Sequence, residues 1–142
     1  MNVDTTNIIA LFAGGGGLEL GISLAVPNAR VICYVEREAY ACELLATRME
    51  KGDLDPAPIC TDVCEFDGRP WAGLVDIISG GFPCQDISNA GKRAGITGER
   101  SGLWKQYARI VSEVQPRYVF IENVGALRSR GLDVVLEDLA AL

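Results

Sequence analysis

The chain has 142 residues, a formal net charge of −6 at pH 7, 49% hydrophobic and 23% charged residues. This is the size of one domain able to bury a real core, with the composition of a soluble globular chain. The acidic balance argues against a broad electrostatic footprint for nucleic acid on this chain alone while leaving room for a local basic loop, and no apolar run reaches the ~20 residues of a membrane span or resembles a signal peptide, so a cytoplasmic protein without membrane contact is expected.

Asn7 to Ala13 is a short run apolar on both faces, which predicts a buried strand of a parallel sheet. Four glycines follow, Gly14, Gly15, Gly16 and Gly17. Leu18, Leu20, Ile22, Leu24 and Val26 continue as a helix that Pro27-Asn28 stops. Val31 to Val35 predicts a second strand, closed by Glu36. Glu38 to Glu50 carries apolar residues near helical spacing, and Gly52 and Pro56 break it. Pro58 to Thr61 reads as a weak third strand ending at Asp62. Leu74 to Ser79 reads as a fourth, feeding the stretch Gly80-Gly81-Phe82-Pro83-Cys84-Gln85-Asp86-Ile87-Ser88. Leu103 to Val114 predicts a helix with Ser101 as N-cap and Gln115-Pro116 as stop. Tyr118 to Ile121 predicts a fifth strand ending at Glu122-Asn123, and Leu132 to Leu142 a final amphipathic helix.

Alternating strands and helices predict an α/β fold: a Rossmann-like open, mostly parallel sheet of about five strands with flanking helices. Ligands of such sheets bind at the carboxyl ends of the strands, near the point where strand order reverses. Gly14 to Gly17, Glu36, Asp62, Cys84 and Glu122 all fall at such ends, which points to a single site.

There is no histidine, and the cysteines number five: Cys33, Cys42, Cys60, Cys64 and Cys84. In a cytosolic chain they are expected as reduced thiols. Cys60 and Cys64 lack further ligands at matching spacing, so no metal site is expected. The absence of histidine removes every Cys-His and Ser-His-Asp mechanism. A free thiol titrates near ~8.5, so a nucleophilic Cys84 needs help from loop donors or a helix N-terminus.

Each candidate has a plainer alternative. The glycine run admits a ligand close to the backbone, or simply packs tightly. Glu36 follows Gly17 by 19 residues, where an acid accepts hydrogen bonds from ribose hydroxyls. Asp62 reads as a contact to an adenine amino group or as a cap for the next segment. Cys84 is a nucleophile or a buried structural cysteine, although the glycines around it make poor burial. Glu122 is a partly desolvated proton donor or a cap for the following turn.

Together these residues resemble the cytosine carbon-5 DNA methyltransferases that use S-adenosylmethionine. Leu11-Phe12-Ala13-Gly14-Gly15-Gly16-Gly17-Leu18 is similar to the family's first motif, Gly80-Gly81-Phe82-Pro83-Cys84-Gln85 to its nucleophile motif, and Glu122-Asn123-Val124 to its proton-donor motif. Glu36, Asp62 and Leu103-Trp104 fall where its other cofactor motifs lie. The resemblance covers Asn7 to Leu142.

It implies the following roles. Cys84 and Glu122 are catalytic. Phe12, Ala13, the glycines 14–17, Leu18, Glu36, Arg37, Asp62, Val63, Pro83 and Leu103 hold the cofactor. Phe12 stacks on the adenine, Glu36 holds the ribose, and Asn123 supports the Glu122 turn. Gln85, Ser88, Lys92, Arg93 and Arg100 contact DNA, with a flipped cytosine in the pocket. Arg37 departs from the apolar or aromatic residue the family often has there.

The resemblance also implies that residues 1–142 form a truncated cofactor-binding and catalytic domain. Two further strands, a glutamine-arginine-arginine motif, the target-recognition domain and a C-terminal helix would be absent. A bacterial or phage origin and a second chain supplying the carboxy-terminal half are expected. Two other classes remain open: a non-catalytic S-adenosylmethionine-binding module, and a nicotinamide-type oxidoreductase, which accounts for the glycines and Glu36 but not for Cys84 with Glu122.

Overall fold

In the computed structural model, which describes residues 5–83 and 102–142, strand and helix alternate as expected. The elements are β1 (Thr6–Leu11), α1 (Gly17–Ala25), β2 (Ala29–Val35), α2 (Ala39–Glu50), β3 (Ile59–Cys60), a 3-10 turn at Arg69–Trp71, β4 (Ile77–Gly80), α3 (Gly102–Val114), β5 (Tyr118–Ile121), α4 (Leu127–Arg130) and α5 (Leu132–Ala140). The strands form one sheet in the order β3-β2-β1-β4-β5, and each pairing is parallel. The chain builds outward from β1 to β3, then returns to add β4 and β5 on the other side. The reversal between β1 and β4 opens the crevice in which ligands of such sheets bind.

Side chains alternate across the sheet and bury both faces. Ile8, Ala10, Val31, Tyr34 and Ile77 pack with Ile22 of α1 and Leu45 of α2. Ile9, Leu11, Val35 and Ile78 pack with α3 and with Val135 of α5. Along α3, Trp104, Tyr107, Ile110, Val111 and Val114 are buried, the i, i+3, i+4, i+7 stripe of a core-facing helix. Side chains of this size contribute roughly 1.5–3 kcal/mol each when fully buried. Trp104 also donates from Nε1 to Asp138 Oδ2 at 2.7 Å, tying α5 to α3. The Tyr107 hydroxyl donates to the Phe120 carbonyl at 3.1 Å, fixing α3 over the end of β5.

Two expectations change. The third strand shrinks to Ile59–Cys60, so Asp62 lies in the turn beyond it instead of closing it. A short helix, α4, precedes the final one; four residues are too few to show a helical period, and Gly131, at φ 157°, separates the two. On β5 the apolar alternation is only half covered. Tyr118 and Phe120 remain 56% and 44% exposed, while Val119 and Ile121 pack into the core on the other face.

Candidate functional site

The carboxyl ends of β1, β2 and β4 converge on one cleft. β1 runs into Phe12, a non-glycine residue at φ 53°. That left-handed backbone costs on the order of 1–2 kcal/mol outside glycine. The Phe12 ring lies stacked on Tyr107, centroids 6.4 Å apart and planes 18° from parallel. The strained residue thus presents an aromatic face braced from below.

Glu36, just past β2, is 8% exposed. Its Oε2 accepts from the Gly14 amide at 2.7 Å and its Oε1 from the Glu38 amide at 2.8 Å. Charge-assisted bonds of this kind fix a carboxylate without using all its lone pairs. Asp62 Oδ1 accepts from the Cys64 amide at 2.8 Å, so the capping alternative is realised. This turn is clamped from α3. Arg109 donates to the carbonyls of Val63 at 2.9 Å and Phe66 at 3.0 Å and pairs with Glu113 at 2.8 Å, while Glu113 Oε2 accepts from the Gly68 amide at 2.8 Å.

The third wall comes from Gly81 to Pro83. Asn123 donates from Nδ2 to the Phe82 carbonyl at 3.1 Å, and its Oδ1 accepts from the Val124 amide at 2.8 Å. One side chain therefore joins the turn after β4 to the turn after β5. A Cβ on Gly81 would stand 2.7 Å from Glu122 Oε2. Glu122 is exposed, a correction to the expected partial desolvation: it lies past the last residue of β5, where neither helix layer covers it.

These walls enclose a cavity of about 630 Å³. Phe12, Glu36, Arg37, Asp62, Val63, Pro83 and Leu103 all line it. Ala13 and Leu18 line a smaller cavity of about 360 Å³ that shares Phe12 and Gly81 with the first and includes Glu122. Gly14 meets the site through Glu36. The next two glycines face α2 and the segment after it: a Cβ on Gly15 would touch Leu44 of α2 at 3.1 Å, and one on Gly16 would strike Leu54 at 2.6 Å and meet Leu45 of α2 at 3.2 Å. Arg48 of α2 also donates to the Gly15 carbonyl. Gly17 faces a groove beside Phe120. Cys84, Gln85, Ser88, Lys92, Arg93, Arg100 and the expected N-cap Ser101 lie outside the described residues.

Sequence reasoning missed Glu38, Cys64 and Gln106 in the larger cavity. Gln106 sits one helical turn after Leu103, a spacing that could have found it. Glu19, in the smaller cavity, carried no signal beyond being polar within an apolar run. Burial raises its carboxyl pKa above the usual value, and the Ser79 hydroxyl bond pulls it part of the way back. Burial likewise pushes the Cys33 thiol up to about 11, helped by Cys60. Burial and then the nearby acids Glu36 and Asp62 raise Cys42 and Cys64 respectively. These three are held as thiols, the opposite of an activated nucleophile.

The model of the C-5 cytosine-specific DNA methylases matches residues 6–142. The chain belongs to that family. Curated relatives include the Type II methyltransferase M.Eco47II of Escherichia coli, 32% identical over 93% of this chain, and M.PspPI of Psychrobacter sp., 35% identical over 94% of it. M.CviJI of Paramecium bursaria Chlorella virus IL3A is 32% identical over 92%. The chain spans only 30%, 32% and 34% of those relatives' lengths.

Among solved structures, a DNMT2 variant of Spodoptera frugiperda matches with a TM-score of 0.72 at 16% identity, covering 96% of this chain and 41% of that one. The S. pombe Dnmt2 methyltransferase matches at 0.67 and 20%, covering 96% and 40%. The fold of this family member is thus the methyltransferase sheet, and the family is S-adenosylmethionine-dependent. Among its described residues no helix is long and apolar enough to cross a membrane.

Proposed function

We propose that this chain is a cofactor-binding and catalytic portion of a DNA (cytosine-5-)-methyltransferase, with residues 1–142 belonging to that domain. The observation that carries the reading is the cavity at the β1/β4 reversal, whose walls combine Phe12, Glu36, Asp62, Val63, Pro83 and Leu103. Its size suits a nucleoside-sized ligand. The donor set fits S-adenosylmethionine. Glu36 accepts from ribose hydroxyls and Asp62 from the adenine amino group, with Phe12 stacked on the base and Val63, Pro83 and Leu103 as apolar walls. Arg37 and the glycine turn from Ala13 to Leu18 complete the enclosure. The cofactor supplies an electrophilic methyl group on a sulfonium.

The substrate is a cytosine flipped out of DNA, because carbon 6 is unreachable inside the stack. The thiolate of Cys84 forms a bond to carbon 6. The π electrons shift through carbon 4 to nitrogen 3, where Glu122 delivers a proton, and carbon 5 becomes enamine-like. After methylation, water takes the carbon-5 proton, that electron pair restores the ring double bond as the Cys84 thiolate leaves, and the nitrogen-3 proton returns to Glu122. Asn123 holds the Glu122 turn against Phe82, two residues before the nucleophile. Gln85, Ser88, Lys92, Arg93 and Arg100 contact the DNA.

Recognition of a target sequence and full turnover belong to the part of the fold that the longer relatives possess. The half-covered face of β5, with Tyr118 and Phe120 exposed, supports packing of that part against β5. The setting is the cytoplasm of a bacterium or a phage-infected cell, in a restriction-modification system. A non-catalytic S-adenosylmethionine-binding remnant would share the cavity and differ in chemistry. Trapping with 5-fluorocytosine DNA and the cofactor, with and without a carboxy-terminal partner, separates the two. A covalent adduct that disappears in Cys84→Ser is expected. An adduct that survives this substitution overturns the nucleophile, and none under any condition favours the remnant. Robust sequence-specific methylation by the 142 residues alone overturns the division of labour.

A further inference from the structure

The smaller cavity holds a feature that the reaction as derived above does not use. Glu19 enters it from the first turn of α1 and is 1% exposed. Its Oε1 accepts from the Ser79 hydroxyl at 2.7 Å. Its Oε2 is buried and has no hydrogen-bond partner among the described residues. An acid in a helix's first turn ordinarily faces water, where it complements the helix dipole. Here it is turned inward against the sheet, with an acceptor that nothing in the described chain satisfies. Such groups are rare, and each calls for an explanation.

The surroundings define what could satisfy it. Among the described residues, the polar side chains in the cavity wall are two carboxyls, Glu19 and Glu122, and no lysine or arginine lines it. An anionic ligand is excluded by charge. An orphan acceptor requires a donor, so the ligand must present N–H or O–H groups, preferably on a cation. The cavity shares Phe12 and Gly81 with the larger cleft, so one ligand can occupy both. The absence of side chains at Gly80 and Gly81 leaves its floor bare.

Resting on the reading of the larger cleft as the adenosine site, we propose that Glu19 is the acceptor for the α-ammonium group of the methyl donor's amino-acid arm. The sulfonium carries no N–H and cannot meet the need. The groups at Glu19 are Ser79 on β4 and Glu122 beyond β5, and its charge is also felt by Tyr34 on β2 and Tyr107 on α3. Burial favours the neutral carboxyl in the absence of a cation. Arrival of the ammonium favours the carboxylate and expels a proton.

Calorimetry on the full chain tests this with S-adenosylmethionine, S-adenosylhomocysteine and 5′-methylthioadenosine. The first two carry the ammonium and the third does not. Glu19→Gln is expected to weaken the first two by about tenfold or more and to leave the third unchanged. For the unsubstituted chain, titrations in buffers of different ionisation heat are expected to show proton release with S-adenosylhomocysteine and none with methylthioadenosine. Equal weakening of all three ligands, weakening of none, weakening of S-adenosylmethionine alone, or identical proton release with the last two overturns the proposal. If none of the three binds the unsubstituted chain, the adenosine site itself is wrong and the proposal falls with it.

Discussion

The Gly14 amide donates to Glu36 Oε2 at 2.7 Å, and this bond fastens the turn after β1 to the end of β2. Glu36 is thus both a wall of the cavity and the peg that holds the neighbouring wall. Glu36→Ala removes the acceptor for the Gly14 and Glu38 amides together. A stability loss of about 1–3 kcal/mol is expected by urea unfolding. A fall in S-adenosylmethionine affinity of about tenfold or more is expected by calorimetry. Unchanged affinity would remove Glu36 from the cofactor site.

Two neighbouring glycines are expected to fail differently. A Cβ on Gly80 would run into the Leu11 carbonyl of the paired strand β1, which is backbone and cannot yield. Gly80→Ala should cost about 2–4 kcal/mol or prevent folding. A Cβ on Gly81 meets the carboxyl end of Glu122, a flexible group. Gly81→Ala should keep the unfolding midpoint within about 1 kcal/mol of the parent, while adduct formation with fluorocytosine DNA falls because Glu122 is displaced. Equal effects of the two on stability would contradict the geometry.

Arg109 holds the Asp62 turn at two carbonyls from a helix on the far side of the cavity. Arg109→Met leaves the Val63 and Phe66 carbonyls without this donor and Glu113 without its cation. A loss of about 1–3 kcal/mol is expected. Affinity for adenosine-containing ligands should fall with it, since Asp62 and Val63 line the cleft. Intact affinity alongside lowered stability would confine Arg109 to the scaffold.

Glu19 sets a pH dependence. Burial raises its carboxyl above the ordinary 4.5, so the folded chain binds this proton more tightly than the unfolded chain. The stability it contributes is fully present below 4.5 and is lost as pH rises through the raised value. Thermal unfolding of Glu19→Gln alongside the parent should show a difference that shifts in favour of the variant as pH climbs from 4.5 towards neutrality. A difference that stays flat across that range would mean that Glu19 titrates as it does in the unfolded chain.

Much of the fold was legible because parallel α/β structure is written locally. Runs such as Ile8 to Leu11 are apolar on both faces, Leu103 to Val114 keeps a helical period, and glycine or proline follows the first three long helical patterns. The five strands and their helices follow from that, with β3 shortened because two residues of pairing leave little pattern. Seven expected cofactor residues meet in one cavity, because loops at the strand ends must share one edge of a parallel sheet.

The sequence by itself determined the order of elements, the edge at which the site lies, and the family through its motifs, since these depend on residue type and spacing along the chain. Tertiary structure decided which groups touch. It turned Glu19 inward onto Ser79, 60 residues away, and used Asn123 to join two turns. It pressed Gly15 and Gly16 against α2 and left Gly14 to serve Glu36. Each of these depends on atoms brought together by packing, and no local pattern encodes the partner of a buried polar group.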